Sequence, residues 1–366
     1  AMEGLLAFFL ESTFLGIWIF GWDRLPRKMH LASIWLASLG TLFSAYFILA
    51  ANAFMQHPVG YVLNTKTNRA ELTDIFAVLT QKTAVAAFLH TVPSAFMTAG
   101  ALFAGVAGWM MIKGRDEEVA RPALKTGIAT LIISFLIVGV TGDWTARIMT
   151  EQQPMKMAAA EALYDTRAGA PFSLFTIGTL DGSKSVFQIG LPSVLSFMST
   201  GDVNGTVEGI NDLQAKYEQK YGPGNYKPTI WMAYWGFRLM IGFGAISVLI
   251  GLIALWYLRK GGLPKTKWMT NLMIAMPILP IIAISFGWIF TESARQPWVV
   301  FGLMKTADGV SAQVGAGSVL FTMITFTLLY GVLAIIEFGL FFRAIKVGTD
   351  MSEGTAKSDK TLTMSY

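Results

Sequence analysis

Seven stretches of this sequence are apolar over a length that can cross a lipid bilayer. A helix that spans the hydrocarbon core of a membrane needs about 20 predominantly apolar residues. Hydrophobic residues make up 54% of the chain and charged residues only 14%, whereas soluble domains carry about 25% charged residues. The sequence therefore predicts an all-α fold, a polytopic transmembrane helix bundle. The predicted spans are 2–21, 31–55, 85–112, 123–140, 230–258, 268–290 and 318–342.

The loops between the predicted spans differ in basic charge. Successive loops alternate between the two sides, and one set carries fifteen Lys and Arg residues against five in the short loops of the other set. Because short cytoplasmic loops are enriched in Lys and Arg, the first set is predicted to be cytoplasmic. The chain then divides into helices one to four (1–140), an outer segment (141–229) with a short helix near 207–221, helices five to seven (230–345) and a polar cytoplasmic tail (346–366).

Cysteine content and net charge restrict the chemistry of the chain. The sequence contains no cysteine, which excludes structural disulfides, thiolate-held iron–sulfur clusters and covalently attached c-type haem in this chain. The net charge of +5 is explained by the basic cytoplasmic loops rather than by a surface for nucleic acid. The expected surroundings are membrane lipid, and no nucleic acid partner is expected.

Ionisable residues inside a membrane are costly, so each is a candidate functional residue. Glu3 and Glu11 share one helix face about 12 Å apart along the axis, which suits a proton relay between buried carboxyls. The alternative for Glu3 is a position near a frayed chain start, whereas Glu11 lies within an apolar run. Glu292 stands close to Arg295, so either a rim ion pair or a functional carboxylate fits its position. Glu337 is interpreted as a residue that hydrogen-bonds between helices.

His90, Arg238 and Met240 are candidates for a haem site. A buried imidazole such as His90 is either a packing residue or an axial ligand of haem iron, and both interpretations remain open. Met240 is one of 19 methionines, most of which are expected to fill gaps in the core. It follows Arg238 by two residues, however, and lies in its span at a depth similar to that of His90. Ligation by His and Met saturates the iron and suits electron transfer, and a nearby guanidinium can neutralise a haem propionate.

Several separated motifs resemble one family. The segment 3–14 (EGLLAFFLESTF), followed by 21–24 (GWDR), resembles the third-helix signature of cytochrome bd ubiquinol oxidase subunit I. The segments 90–92 (HTV), 237–240 (FRLM) and 292–298 (ESARQPW) follow in the family's order. The resemblance extends from residue 1 to about residue 345. It is specific because several separated motifs match the family together.

The resemblance implies haem cofactors and assigns ligands to them. His90 and Met240 match the axial ligands of a low-spin haem b, and Arg238 matches the arginine beside it. Glu292 matches a carboxylate ligand in a pair of high-spin haems, one haem b and one haem d or further haem b. Glu3 matches the glutamate at the oxygen-reducing haem, where it is a ligand or proton donor. Further residues implied near the cofactors are Trp288 and Arg295.

The resemblance also implies where substrate and protons react. In the outer segment, which resembles the family's short form, Lys156 and Glu161 match a pair implicated in quinol oxidation. Their i, i+5 spacing would by itself indicate a solvated surface pair. Three positions match residues on or near the proton route from the cytoplasm: Glu11, Ser44 and Asn52. The implied activity is that of a quinol oxidase that oxidises quinol at the outer face and reduces O₂ to water with proton uptake from the cytoplasm.

The family resemblance sets expectations for partners and surroundings. Cytochrome bd subunit II and a small single-span subunit are the expected protein partners, in a bacterial inner membrane with the outer segment on the periplasmic side. The family normally begins with two further helices, the first of which carries a histidine ligand, and this sequence lacks them, so a partial sequence is expected. Ala294 also stands where the family has glycine. The alternatives are a proton-coupled secondary transporter and a haem-b electron-transfer subunit without oxygen chemistry.

Overall fold

Seven long apolar helices form the main part of the fold. The structure is a computed structural model that describes residues 2–67, 69–179, 183–311 and 313–347. Within those residues, seven helices are long and apolar enough to cross a membrane, which confirms the predicted helical bundle and its seven spans. Most of the cytoplasmic tail predicted at 346–366 lies outside the described residues.

The described residues form eleven α-helices and eight β-strands. The helices are α1 (Phe9–Phe20), α2 (Arg27–Gln56), α3 (Ile75–Thr80), α4 (Lys82–Ile112), α5 (Glu117–Gln152), α6 (Pro154–Glu161), α7 (Val194–Thr200), α8 (Ile210–Tyr221), α9 (Ile230–Arg259), α10 (Lys267–Ser293) and α11 (Ala316–Val347). The strands are β1 (Tyr61–Asn64), β2 (Arg69–Leu72), β3 (Arg167–Ala168), β4 (Phe172–Gly178), β5 (Ser185–Leu191), β6 (Thr206–Val207), β7 (Trp298–Val300) and β8 (Met304–Lys305). A π-helical segment, Glu3–Phe8, continues directly into α1 and completes the first span.

The largest difference from the predicted spans is in α5. The apolar run predicted a span over 123–140, whereas the helix extends over Glu117–Gln152. Its last turns carry Asp143 and Arg147, which form an i, i+4 ion pair at 2.9 Å. An apolar run marks the part of a helix that matches lipid, so it misses polar turns that continue the helix beyond that part.

The outer segment shares a hydrophobic core with the start of α9 and with β7. It contains α6, α7 and α8 and two antiparallel two-stranded sheets, β3–β6 and β4–β5. The short helix predicted near 207–221 is present as α8. Tyr217 of α8, Tyr226 and Tyr234 pack in one buried cluster with Met155 of α6 and with Trp298. Because buried aromatic rings contribute large contact areas, this cluster fixes α6 against α8 and the first turns of α9.

By its internal contacts the chain divides into two units. The first comprises Ala1–Thr98, Leu131–Ile246 and Leu279–Gly309, and the second comprises Ala99–Thr130, Ser247–Ile278 and Val310–Tyr366. The first unit contains every candidate site residue named above except Glu337. In the second unit, Met269, Met273 and Met276 are fully buried, and a Cβ at Gly108 would collide with the Met273 side chain.

Candidate functional site

The candidate site is built around the short helix α6. Pro154 lies in its first turn, where a missing N–H removes no helical hydrogen bond, and Ala162 ends the helix in the left-handed conformation with φ 48°. Every residue from Met155 to Glu161 is buried. The exposed fractions of Lys156 and Glu161 are 7% and 1%, so the interpretation of these two residues as a solvated surface pair is wrong.

Small side chains allow α6 to lie close to two of the long helices. Ala159 and Ala160 are fully buried and pack in one cluster with Ala233 of α9 and with Phe290 and Ala294 at the end of α10. Because alanine extends only one carbon from the backbone, the backbones can approach closely. This packing brings the polar side chains at both ends of α6 within hydrogen-bonding distance of residues on the long helices.

Glu161, at the end of α6, forms a buried ion pair with Arg238 of α9. The Arg238 Nη2 atom lies 2.7 Å from the Glu161 Oε2 atom, and the Ser173 amide donates to the same oxygen at 2.9 Å. Burial raises the pKa of Glu161, while the guanidinium and the amide oppose that rise. One carboxyl oxygen is therefore engaged by two protein donors.

Arg238 connects α9 to two parts of the outer segment. Its Nε and Nη2 atoms donate to the Ser173 carbonyl oxygen at 3.1 and 2.6 Å, and Nη1 donates to the Ala160 carbonyl oxygen. The Tyr234 ring centre lies 4.2 Å from the guanidinium carbon. All three guanidinium nitrogens thus have protein acceptors, and the contact of Arg238 with a propionate stays a prediction.

Lys156, near the start of α6, has a separate set of partners. Its Nζ atom donates to the Gln56 Oε1 atom at 3.0 Å and to the Thr291 carbonyl oxygen at 3.1 Å. Burial and, to a lesser extent, the charge of Arg295 lower the pKa of Lys156 to about 7, against the opposite effect of Glu292. A lysine that can exchange a proton near neutral pH therefore lies buried beside α2 and α10.

A row of amide and carboxyl groups continues from Lys156 along α2. The Gln56 Nε2 atom lies 3.4 Å from the Asn52 Oδ1 atom, and the Asn52 Nδ2 atom donates to the Glu292 Oε1 atom at 2.8 Å. Gln153 donates to the Gln56 carbonyl oxygen at 2.5 Å. Asn52 was predicted from the sequence, whereas Gln56 and Gln153 were not. The available signal for Gln56 was an amide four residues after Asn52, on the same face of an apolar helix.

Glu292 and Arg295 form an ion pair, which is one of the two interpretations of their spacing. The Arg295 Nε and Nη1 atoms and the Trp298 Nε1 atom are buried without a hydrogen-bond partner among the described residues. A buried donor left unsatisfied costs about 1–3 kcal/mol, and a guanidinium binds carboxylates well. These free donors fit a propionate group of a haem, in agreement with the implied role of Arg295.

His90 of α4 is oriented through one ring nitrogen. Its Nδ1 atom lies 3.2 Å from the Thr141 hydroxyl oxygen, and that hydroxyl donates to the Ile137 carbonyl oxygen at 2.9 Å. Because the hydroxyl proton is already used, Thr141 accepts from Nδ1–H, which leaves the lone pair of His90 on Nε2. A neutral imidazole whose other nitrogen donates a hydrogen bond is the form that ligates a metal. The geometry of His90 fits an axial ligand.

Met240 of α9 and His90 lie on helix faces that meet. At Gly244 of α9 a Cβ would lie 3.5 Å from the Met97 methyl group of α4. Met240 precedes Gly244 by four residues and His90 precedes Met97 by seven, so each lies on the same face as the contact. Both helices run in the same direction as third and fifth spans, so the two residues lie about 6 and 10 Å from the contact toward the same end. The side chains themselves contact other helices: a Cβ on Gly287 of α10 would lie 2.7 Å from the Met240 sulfur, and a Cβ on Gly142 of α5 would lie 3.4 Å from the His90 ring. A haem shared by His90 and Met240 therefore stays a prediction.

The first span carries both carboxylates predicted for the proton route. The Ser44 hydroxyl donates to the Glu3 Oε1 atom at 3.0 Å. A Cβ on Gly40 would lie 2.8 Å from the Glu11 backbone nitrogen, so α1 and α2 are in close contact there. Glu11 lines a cavity of about 310 Å³ between these helices. The structure thus places Glu3 and Ser44 together and places Glu11 at a mainly apolar cavity that Ser38 and Thr41 also line.

The candidate iron ligands are not gathered in one cluster. In the described part of the chain no three His, Cys, Asp or Glu side chains form a metal-binding group. Haem brings its own four nitrogen ligands and needs only one or two axial ligands from the protein, so separate ligands suit haem. Trp288, one turn before Glu292, is 49% exposed, and its place near the haems stays a prediction.

Comparison with protein families identifies the chain. Residues 1–349 match the family model described as cytochrome bd terminal oxidase subunit I. The chain belongs to the cytochrome bd terminal oxidase subunit I family. It is therefore a multi-pass membrane protein of a terminal oxidase, a quinol:oxygen oxidoreductase. Membership of this family argues against the secondary transporter.

Individual relatives agree with this family over most of the chain. Cytochrome bd ubiquinol oxidase subunit 1 of Bacillus subtilis (strain 168) is 42% identical over 352 residues, which cover 96% of this chain and 75% of the relative. Cytochrome bd-II ubiquinol oxidase subunit 1 of Escherichia coli (strain K12) is 28% identical over 405 residues, with 95% and 79% covered. The solved structure of bd oxidase from Geobacillus thermodenitrificans has a TM-score of 0.80 at 29% identity and covers 93% of this chain and 76% of that chain.

Proposed function

We propose that this chain oxidises quinol at the outer segment and contributes the centre that reduces O₂ to water with protons from the cytoplasm. Family membership supports a quinol oxidase role. Haem iron, when bound, supplies the one-electron carriers and the oxygen-reducing centre. The protein residues bind the substrate, position the cofactors and move protons.

One observation carries this proposal: α6 bonds both of its candidate quinol residues to helices that bear candidate haem ligands. Glu161 pairs with Arg238 at 2.7 Å, and Arg238 lies two residues before Met240. Lys156 donates to the carbonyl oxygen of Thr291, the residue before Glu292. A quinol bound at α6 would therefore lie next to helices that carry electron acceptors, and short separation favours electron transfer.

Lys156 and Glu161 have the acid–base properties that quinol oxidation needs. Oxidation of a quinol releases two protons and two electrons, so nearby groups must accept protons near neutral pH. The pKa of Lys156 is lowered to about 7 by burial, and burial raises the pKa of Glu161. Both groups can therefore hold a quinol hydroxyl and accept its proton, which then leaves toward the outer side.

The ligand assignments follow from the residues that fit. His90 and Met240 would hold the low-spin haem b, with the Nε2 lone pair of His90 available to iron because Nδ1 donates to Thr141. Glu292 and Glu3 would serve the high-spin haem b and the haem d, or a further haem b. The unpaired donors of Arg295 would bind a propionate.

The first span and α2 would carry the proton uptake route. Glu11, with its cavity, and the Glu3–Ser44 hydrogen bond lie along the first span and α2, and they would deliver protons from the cytoplasm. Because substrate protons leave on one side and the protons consumed by O₂ enter from the other, turnover separates charge. Subunit II and a small single-span subunit are the proposed partners, in a bacterial inner membrane with the outer segment on the periplasmic side.

The test compares Glu161→Gln with Glu151→Gln in the complete oxidase complex. Glutamine keeps the size of Glu161 but cannot accept a proton, and it leaves Arg238 without its counter-charge. Glu151 lies in an exposed ion pair with Lys82 at 3.8 Å, so its change is a matched control. Quinol-dependent oxygen uptake should fall at least tenfold in Glu161→Gln alone, while the reduced-minus-oxidised haem spectrum is retained. An unchanged rate in Glu161→Gln, or no oxygen uptake by the unaltered complex, would contradict the proposal.

A further inference from the structure

The two-stranded sheet β4–β5 separates its side chains by polarity. Its strands pair antiparallel, with shifts in register next to Phe175 and Gly178. The pairs on one face are Phe172–Leu191, Phe175–Ile189 and Ile177–Phe187, and the pairs on the other face are Ser173–Gly190, Thr176–Gln188 and Gly178–Ser185. One face of this ribbon is therefore entirely apolar and the other consists of polar residues and glycine.

The polar face points into the protein and the apolar face points out. Ser173 and Thr176 are 0% and 4% exposed, and the Ser173 hydroxyl lies 2.6 Å from the Thr176 hydroxyl and 2.8 Å from the Tyr234 hydroxyl. On the opposite face, Phe187 and Ile189 are each 51% exposed. An antiparallel sheet with one face in water shows the reverse arrangement. A contiguous exposed apolar face marks a contact surface.

The ribbon lies at the depth where α9 enters the membrane. The α9 helix has 30 residues and is about 45 Å long, while the hydrocarbon core is about 30 Å thick. If α9 is centred in the membrane, about 7 Å of the helix at each end lies outside the hydrocarbon core, which corresponds to about five residues. Trp235 is five residues from the start of α9, and its ring centre lies 5.5 Å from that of Phe175. Trp231 is 65% exposed, and tryptophans are enriched at this interface.

We propose that the apolar face of the β4–β5 ribbon is embedded in the lipid leaflet on the side of the outer segment. Lipid at the membrane interface fits this face better than water because its side chains are apolar, while Ser173 and Thr176 behind them are hydrogen-bonded within the protein. The base of the ribbon also contacts the candidate site, since the Ser173 amide donates to Glu161 and the Ser173 carbonyl accepts from Arg238. The ribbon thereby anchors Glu161 at the membrane surface, whatever reaction takes place there.

A fluorescent probe on the ribbon tests the proposal. Because this chain has no native cysteine, Phe187→Cys in the complete complex gives one labelling site on it, and the unaltered complex labelled in parallel reports the background from other subunits. Gln219→Cys, on an exposed position of α8, is the matched control. Both complexes are placed in phosphatidylcholine nanodiscs, and quenching by lipid with a spin label near the glycerol is compared with quenching by aqueous iodide.

The two quenchers should separate the two positions. At Phe187→Cys we expect the spin-labelled lipid to quench at least twofold more than in the control, and iodide to quench at least twofold less. Iodide quenching equal to that of the control would overturn the proposal, and so would protection from both quenchers, which would mean that protein covers the face. Ile189→Cys, on the same face, provides a second site if the first variant fails to assemble. The measurement does not depend on turnover, so it stands apart from the test of quinol oxidation.

Discussion

Replacement of Gln56 with methionine should shift the pH dependence of quinol oxidation to lower pH. The Gln56 Oε1 atom accepts a hydrogen bond from the Lys156 ammonium at 3.0 Å. Methionine has a similar length but only a weak acceptor in its thioether. The charged form of Lys156 would lose a strong acceptor, whereas the neutral amine would lose little, so the pKa of Lys156 should fall below its starting value of about 7.

The size of the shift follows from the hydrogen bond that is lost. A hydrogen bond to a charged group contributes about 1.5–3 kcal/mol, and about 1.4 kcal/mol corresponds to one pKa unit. The pKa of Lys156 should therefore decrease by about one to two units. Lys156 accepts a quinol proton only when neutral, which is the form above its pKa. The rate of the unaltered enzyme should thus fall as the pH drops below about 7, and the Gln56→Met enzyme should keep its rate to lower pH.

The assay is quinol-dependent oxygen uptake between about pH 5 and pH 9, expressed as kcat/KM per haem. Gln219→Met is the matched control, because Gln219 lies at an exposed position of α8. Lys156→Met should remove the acidic limb together with most of the activity. The reasoning would be refuted by a Gln56→Met limb with the same midpoint as the unaltered enzyme, or by a Lys156→Met enzyme that retains the limb.

Three further predictions concern the haem ligands and the packing of α6. Met240→Leu should eliminate the low-spin haem b band in the reduced-minus-oxidised spectrum, while Met273→Leu leaves it in place; an unchanged Met240→Leu spectrum would disprove the ligand assignment. Thr141→Val removes the acceptor for His90 Nδ1, weakens the imidazole as an electron donor and should raise the potential of the low-spin haem in a redox titration. Ala160→Leu should cost about 1–3 kcal/mol by overpacking and raise the KM for quinol, whereas Ala168→Leu, at an exposed position, should not.

The spans and the motif-bearing residues could be predicted because their signals are local. Apolar length alone located all seven spans, since lipid requires it of any helix that crosses. The polar turns at the end of α5 were missed for the same reason. His90 and Met240 were identified from short sequence motifs. Whether the helix faces that carry them lie close together could be judged only from the contact between Met97 and Gly244 in the structure.

The burial of Lys156 and Glu161 could not be predicted because it depends on distant parts of the chain. Lys156 is bonded to Gln56 and Thr291, which are 100 and 135 positions away in sequence. Glu161 is bonded to Arg238, which is 77 positions away. On a helix viewed alone, two charged residues in a polar segment indicate a solvent-facing surface. Only tertiary packing turns them into buried groups with shifted pKa values.

The short length of α6 explains how one substrate site can take part in both proton transfer and electron transfer. Its eight residues separate Lys156 and Glu161 by about 7.5 Å along the axis, and each end is bonded to a different long helix. The Glu161 end is tied through Arg238 to the helix that carries Met240, which is where an electron would enter. The Lys156 end is tied to α2 and α10, where the Asn52–Glu292 hydrogen bond lies. Residues five apart on a helix point about 140° apart around its axis, so the two groups face different long helices, and the two protons released by quinol oxidation need not leave through the same residue.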